Sequence, residues 1–289
     1  MEQMLIMVKN NYQLGMYEKS MPNSLTWLEK LNFVKEAGFD YLEISIDESD
    51  AKQARLDWNE TEKKELHDAM TKSGVKINSM CLSGHRKYPL GSLDEATRKR
   101  SLEIMEKAIK FALEFNIRII QLAGYDVYYS PGNQQTRAYF IENLKKASQM
   151  AALNGVILGF ETMETPFMDT VSKAMEYVNI VNSPYLNVYP DIGNLTNSSI
   201  KYSHDIIEDL RTGSGKTVAA HLKETVVGKY REIPFGSGHT KFVEDIKVLK
   251  DLNVALFVGE FWYVGQDNWQ KDCKDAAKFL REKLDQVFN

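Results

Sequence analysis

Apolar positions along the chain follow two alternating patterns. Amphipathic stretches such as the one carrying Leu102, Met105, Ile109, Ala112 and Leu113 on one stripe alternate with short runs dense in Val, Ile, Leu, Phe and Tyr. The first spacing is that of a helix with one buried face; the second is that of a strand covered on both sides, as in a parallel sheet. Between them stand Gly38, Gly74, Asn116, Gly155 and Asn253, each directly before an apolar run. Gly and Asn tolerate the left-handed backbone that stops a helix, so each of the five is predicted to do so.

Helix starts carry their own signals. Asn59 is answered by Glu62, and Ser92 by Glu95, which reads in both places as an N-cap residue with its capping-box carboxylate. Strands are predicted at 14–17, 41–46, 75–82, 118–122, 156–161, 186–191, 218–222 and 255–260, each followed by a helical pattern. Eight such units, with no linker or composition break among them, point to a (β/α)8 TIM barrel formed by residues 1–289 as a single domain, with 1–10 as a loose N-terminal extension. An open doubly wound sheet alternates in the same way. It usually carries a glycine-rich turn after its first strand, and here that turn reads Gly-Met-Tyr-Glu-Lys-Ser-Met-Pro.

Composition narrows the function. With 36 basic and 40 acidic side chains the net charge is −4, which gives no grip on a nucleic-acid backbone. Two cysteines, Cys81 and Cys273, are too few for a disulfide framework or a Cys-based zinc site, and fit a reducing cytoplasm. The N-terminal apolar run, Leu5 to Val8, is too short for a secretory or membrane segment, so a cytoplasmic protein without membrane partners is expected.

The last four strands share a distinctive ending. They stop on Glu161, Asp191, His221 and Glu260, at steps of 30, 30 and 39 residues. Successive βα units would deliver these groups to one rim of the barrel, where active sites of this fold lie. Any one carboxylate after a strand reads most simply as a helix N-cap. Three carboxylates with an imidazole, however, repel one another unless a cation sits among them. One divalent ion is therefore expected, and Mn²⁺, Mg²⁺, Zn²⁺ and Co²⁺ all suit such ligands. Glu161 and Glu260 have the reach to face a substrate as well as the ion. On a ketose, one could take the C3 proton and the other return it on the opposite face through an enediolate stabilised by the metal.

Other groups are candidates for substrate contacts. His85, Arg86 and Lys87 lie in a cationic segment leading to a helix start, which reads either as an anion site or as a solvated loop. The segment from Ile233 to His239 is a second place for a phosphate, with His239 itself at the surface. Lys223 lies two residues past His221 and shares its direction. His67 and His204 read as solvated helical residues, and Tyr125 to Tyr129 as a pocket wall or a subunit interface.

Several stretches resemble a known family: 14–22, 55–58 (Arg-Leu-Asp-Trp), 80–86 (Met-Cys-Leu-Ser-Gly-His-Arg), 120–129, 189–194, 221–223 and 234–238. They resemble the xylose-isomerase-like TIM-barrel superfamily and, within it, the bacterial L-ribulose-5-phosphate 3-epimerases (L-xylulose-5-phosphate 3-epimerases) of L-ascorbate and related pentose breakdown. The resemblance implies an isomerase acting on a small sugar phosphate, a homodimer, and one divalent metal held by Glu161, Asp191, His221 and Glu260. It also implies that Glu161 and Glu260 form the acid/base pair and that Arg231 contacts substrate oxygens. Epimerases of free ketoses in this superfamily carry a histidine three residues after the metal aspartate, where this chain has Asn194; that departure favours a phosphorylated substrate. Two alternatives share the scaffold. One is epimerisation or aldose–ketose isomerisation of a different or unphosphorylated sugar. The other is endonuclease IV-type DNA repair, whose several zinc ions need more histidines than the five present.

Overall fold

A computed structural model describes residues 11–289, so the extension expected over 1–10 lies outside the described residues. All eight expected strands form: β1 (Gln13–Tyr17), β2 (Tyr41–Ile46), β3 (Lys76–Leu82), β4 (Ile119–Ala123), β5 (Ile157–Glu161), β6 (Leu186–Tyr189), β7 (Ala220–Leu222) and β8 (Leu256–Gly259). They pair in parallel in the order β6-β5-β4-β3-β2-β1-β8-β7, with no reversal of the kind that defines a doubly wound sheet. Single bridges from Val188 to Thr217 and from Asp191 to His221 join the two ends, which makes the sheet a barrel.

The helices among the described residues are α1 (Trp27–Ala37), α2 (Asp50–Gln53), α3 (Glu60–Ser73), α4 (Glu95–Glu114), α5 (Gln134–Asn154), α6 (Val171–Val181), α7 (Ile192–Tyr202), α8 (Ile206–Thr212), α9 (Phe242–Asp251) and α10 (Trp269–Phe288). No helix among them is long and apolar enough to cross a membrane. All five stops adopt the left-handed backbone, with φ of 95° at Gly38, 72° at Gly74, 55° at Asn116, 69° at Gly155 and 64° at Asn253. Asn59 and Glu62 form the expected capping box. The expected pair of Ser92 and Glu95 does not form: Asp94 caps α4 by accepting the Thr97 N–H at 2.7 Å. A charged carboxylate nearer the helix start is the better partner for those free N–H groups.

Strand alternation sorts side chains into two sets. Leu14, Met16, Leu42, Ile44, Ile46, Met80, Leu82, Ile120, Leu122, Leu158, Phe160, Leu186, Val188, Ala220, Leu222 and Phe257 join the main core between sheet and helices. The other set fills the barrel and is unusually polar for this fold, which commonly packs branched aliphatics there. Tyr41, Glu43, Ser79, Gln121 and Tyr189 belong to it, all buried and hydrogen-bonded to one another, to the strand ends or to backbone. Gly15 has no side chain because a Cβ there would overlap the Tyr41 ring.

Immediately after β1, the fully buried Glu18 gathers three cations. Lys30 Nζ donates at 2.9 Å, Lys52 Nζ at 2.6 Å and Arg55 through both terminal nitrogens at 2.6 and 2.7 Å. Burial alone would raise this carboxyl, but Arg55, Lys52 and Lys30 outweigh it and hold it well below the usual range. The cluster ties the end of β1 to α1 and to the turn after α2, so two of the family-like stretches, 14–22 and 55–58, are one structural device.

Candidate metal centre

Glu161 ends β5, and His221 lies in β7. Asp191 and Glu260 stand just past β6 and β8, because Pro190 supplies no N–H to continue the ladder and β8 ends at Gly259. One ligand atom from each of the four lies within 4.8 Å of the others, and all four residues are buried. His221 Nδ1 faces Glu161 Oε1 at 3.3 Å and Glu260 Oε2 at 3.7 Å.

Asp191 combines both readings of a carboxylate after a strand. Its Oδ1 caps α7 by accepting the Asn194 N–H at 2.9 Å. Its Oδ2, like Glu260 Oε2, is buried without a hydrogen-bond donor. Lys223 Nζ stands 2.6 Å from the first and 3.1 Å from the second, within ion-pair range but aligned for a hydrogen bond to neither. Two buried anionic oxygens that share one ammonium and accept no hydrogen bond, beside an imidazole nitrogen, fit a divalent cation.

The titration behaviour of the site agrees. Burial, and then the Glu260 charge, raises Glu161. Burial also raises Asp191, although Lys223 opposes it. Glu260 is pulled the other way, because Lys223 and His221 outweigh its burial. For His221, burial is overcome by the facing Glu43 and Glu260 carboxylates, which raise it well above the usual imidazole range. Carboxylates crowded this closely share too little positive charge for all to ionise comfortably, and a bound divalent cation inverts that balance.

A second layer holds these groups. Gln121 on β4 donates to Glu161 Oε2. Thr162 Oγ1 accepts the Asp191 N–H at 2.9 Å, and Asn194 Nδ2 donates to the Thr162 carbonyl at 2.7 Å. Glu43 on β2 accepts from His221 Nε2 at 2.7 Å. Sequence reasoning misses Glu43 and Gln121. The available signal was a Glu inside the apolar run Tyr-Leu-Glu-Ile-Ser-Ile and a Gln inside Ile-Ile-Gln-Leu-Ala.

The remaining candidates divide. Arg86, Asn194, Lys223 and Arg231 line the polar mouth over the four groups, together with Tyr17, Lys19 and Trp262. Arg86 stacks on Tyr128 at 4.5 Å, and Arg231 lies over Trp262 at 5.3 Å. His85 is not brought there: it is buried against α4, with its ring nitrogen 3.1 Å from the Ser101 carbonyl. Lys87 turns to Asp50 at 3.2 Å. The segment from Ile233 to His239 is not free for a phosphate, since Glu224 already accepts the Gly236 and Thr240 N–H groups at 2.9 and 3.1 Å. His239, half-buried rather than at the surface, meets Thr225 Oγ1 at 3.1 Å. His67 is half-buried on α3, with its imidazole partly solvated, and pairs with Glu114. His204 also sits half-buried, between α7 and α8, but outside any helix. Tyr128 walls the mouth through Arg86, while the exposed Tyr129 reaches Glu48 at 2.8 Å.

A larger cavity of about 450 Å³ adjoins the mouth and shares Lys223, Glu260 and Trp262 with it. It runs between the loops after β7 and β8. Its lining carries Glu224, Glu232, Asp272 and Asp275.

Residues 31–283 match the family model described as xylose isomerase-like TIM barrel. The chain is 41% identical, over 96% of its length and 97% of the relative's, to the L-ribulose-5-phosphate 3-epimerase UlaE of Salmonella paratyphi A. Among solved structures, it resembles a D-psicose 3-epimerase with D-tagatose from Clostridium cellulolyticum at a TM-score of 0.76 and 17% identity, covering 94% of this chain and 99% of that one. It also resembles a xylose isomerase-like TIM barrel protein from Mycobacterium smegmatis in complex with magnesium, at 0.70 and 16%, covering 96% and 98%. At such identities the structural likeness speaks for the fold.

Proposed function

Because the chain belongs to the xylose isomerase-like TIM barrel family, and within it to the L-ribulose-5-phosphate 3-epimerases, we propose that this sugar epimerase interconverts L-xylulose 5-phosphate and L-ribulose 5-phosphate. The observation that carries the chemistry is the convergence of Glu161, Asp191, His221 and Glu260 within 4.8 Å. These four would hold one divalent ion, of a kind their chemistry leaves open, and such an ion would supply the Lewis acidity that makes a proton beside a ketone removable.

Glu161 on β5 and Glu260 after β8 do the proton work. One carboxylate takes the C3 proton, breaking the C–H bond and leaving an enediolate. The carboxyl of the other then protonates C3 on the opposite face, and exchange with solvent restores both groups. Asp191 and His221 hold; Gln121 aims Glu161.

Arg86 and Arg231 are the groups we assign to the phosphate. Lys19 at the same mouth is already paired with Asp47 at 2.5 Å, and the larger cavity is acidic. Lys223 and Asn194 face the sugar oxygens. A single domain, a homodimer and a cytoplasmic location without a nucleic-acid partner complete the reading, and light scattering tests the dimer. Incubation of the metal-loaded enzyme with either sugar phosphate in D₂O should place deuterium at C3 by NMR. Absence of C3 exchange would sink the assignment.

A second reading, epimerisation of an unphosphorylated ketose, is favoured by the acidic lining of the larger cavity, which suits hydroxyl groups better than phosphate. Comparing kcat/KM for a ketose and its 5-phosphate separates the two.

A further inference from the structure

Glu43 is a buried charge that the proton transfers do not use. It lies on β2, across the barrel from His221 and 178 residues away in sequence, with no exposed surface. Its two oxygens have separate tasks. Oε2 accepts from Ser79 Oγ at 2.7 Å and from Tyr189 OH at 2.9 Å, which fixes the carboxylate from β3 and β6. Oε1 is left for His221 Nε2 at 2.7 Å. A carboxylate offers only acceptors here, so Nε2 must carry the proton and donate it.

We infer that Glu43 is the positioning residue of the metal centre: by accepting the Nε2–H of His221, it fixes the tautomer that presents Nδ1 to the ion. Several features meet in this assignment. Nδ1 is the ring atom that faces Glu161 and Glu260, at 3.3 and 3.7 Å. The Tyr189 ring packs edge-on against the imidazole at 4.9 Å between centroids, which restricts its rotation. Replacing the carboxylate by a neutral acceptor lowers the basicity of Nδ1, and removing it frees the ring to turn. Outer partners of this kind change metal affinity by about 10- to 100-fold. The polar filling of the barrel thereby acquires a reason: β2, β3 and β6 jointly orient one ligand on β7.

The inference rests on the metal reading above, and one set of experiments distinguishes the two. Zn²⁺ and Mn²⁺ binding to the full chain is measured by calorimetry for the parent, Glu43→Gln and Glu43→Ala. Alongside it, ¹⁵N NMR of the histidine-labelled, Zn²⁺-loaded parent reports which nitrogen of His221 bears hydrogen. Expected are one ion per chain in the parent, an Nε2–H signal with metal on Nδ1, and affinity lower by about tenfold in the Gln variant and a hundredfold in the Ala variant. A purely structural role would lower thermal stability and leave the affinity of the folded protein unchanged. Should the Ala variant fail to fold, the isosteric Gln variant and the parent's NMR spectrum decide. Parental affinity in Glu43→Gln, or an Nδ1–H signal in the loaded parent, overturns the inference while the metal reading stands. A parent that binds no ion overturns both.

Discussion

Single side chains divide here according to what their loss removes. Glu260→Gln keeps shape and volume but cannot accept a proton, so kcat is expected to fall by about 10² to 10⁴ with an unchanged near-ultraviolet dichroism spectrum. A folded variant with parental kcat would remove Glu260 from the proton relay. Arg86→Ala removes one charged contact, of the order of 1.5–3 kcal/mol. The KM for the ketose phosphate should therefore rise at least tenfold while that for the free ketose stays put; equal effects on both would take the phosphate away from Arg86. Asp245 on α9 tests burial alone. Its carboxylate is fully enclosed with no hydrogen-bond partner on either oxygen, and burial pushes it up to about 8. The folded chain thus keeps a proton that the unfolded chain releases near pH 4, so this contribution to stability is intact below about pH 4 and is lost as pH rises toward 8. Asp245→Asn should match the parent in urea unfolding at pH 4 and exceed it by a few kcal/mol at pH 8, because each tenfold difference in proton affinity between the folded and unfolded chains corresponds to about 1.4 kcal/mol. Equal stability at both pH values would refute this account.

Among the elements, the turn after β1 adds a buried charge cluster to the hydrophobic anchors Leu14, Met16 and Met21. Glu18→Gln leaves Lys30, Lys52 and Arg55 enclosed together without their shared carboxylate, and breaking a buried pair in this way costs about 3–5 kcal/mol. Chemical denaturation should register that loss; a change below about 1 kcal/mol would show that the three cations find other partners. The loop between β7 and α9 illustrates the opposite situation. Its N–H groups look inviting to an anion, yet Glu224 occupies them, so the loop's own carboxylate shapes the wall of the larger cavity.

For the whole molecule, the four proposed ligands come from β5, β6, β7 and β8, including the stretch where β6 and β7 meet only through isolated bridges. An ion there would fasten the barrel at the seam that isolated bridges close. A ligand present at 100 times its Kd stabilises the native state by about 2.7 kcal/mol. Adding Mn²⁺ or Zn²⁺ should consequently raise Tm by several degrees, and EDTA should reverse the rise. An unchanged Tm under saturating metal would argue against a site formed by these strands.

The architecture and the four convergent strand ends are already written in the order of residues. Strand alternation, helical stripes and left-handed stops such as Gly38 and Asn253 are local devices that act through neighbouring residues. The barrel rim then follows from the regular succession of units. Which groups meet was settled only by the packed chain. Arg86 reached the mouth while His85, next in the chain, turned into the core, because adjacent residues point in different directions. Asp94 and Glu224 took the N–H groups that an external anion would need, a competition between side chains that spacing does not reveal. Glu43 found His221 across 178 residues, since the barrel interior joins strands that lie far apart in the chain.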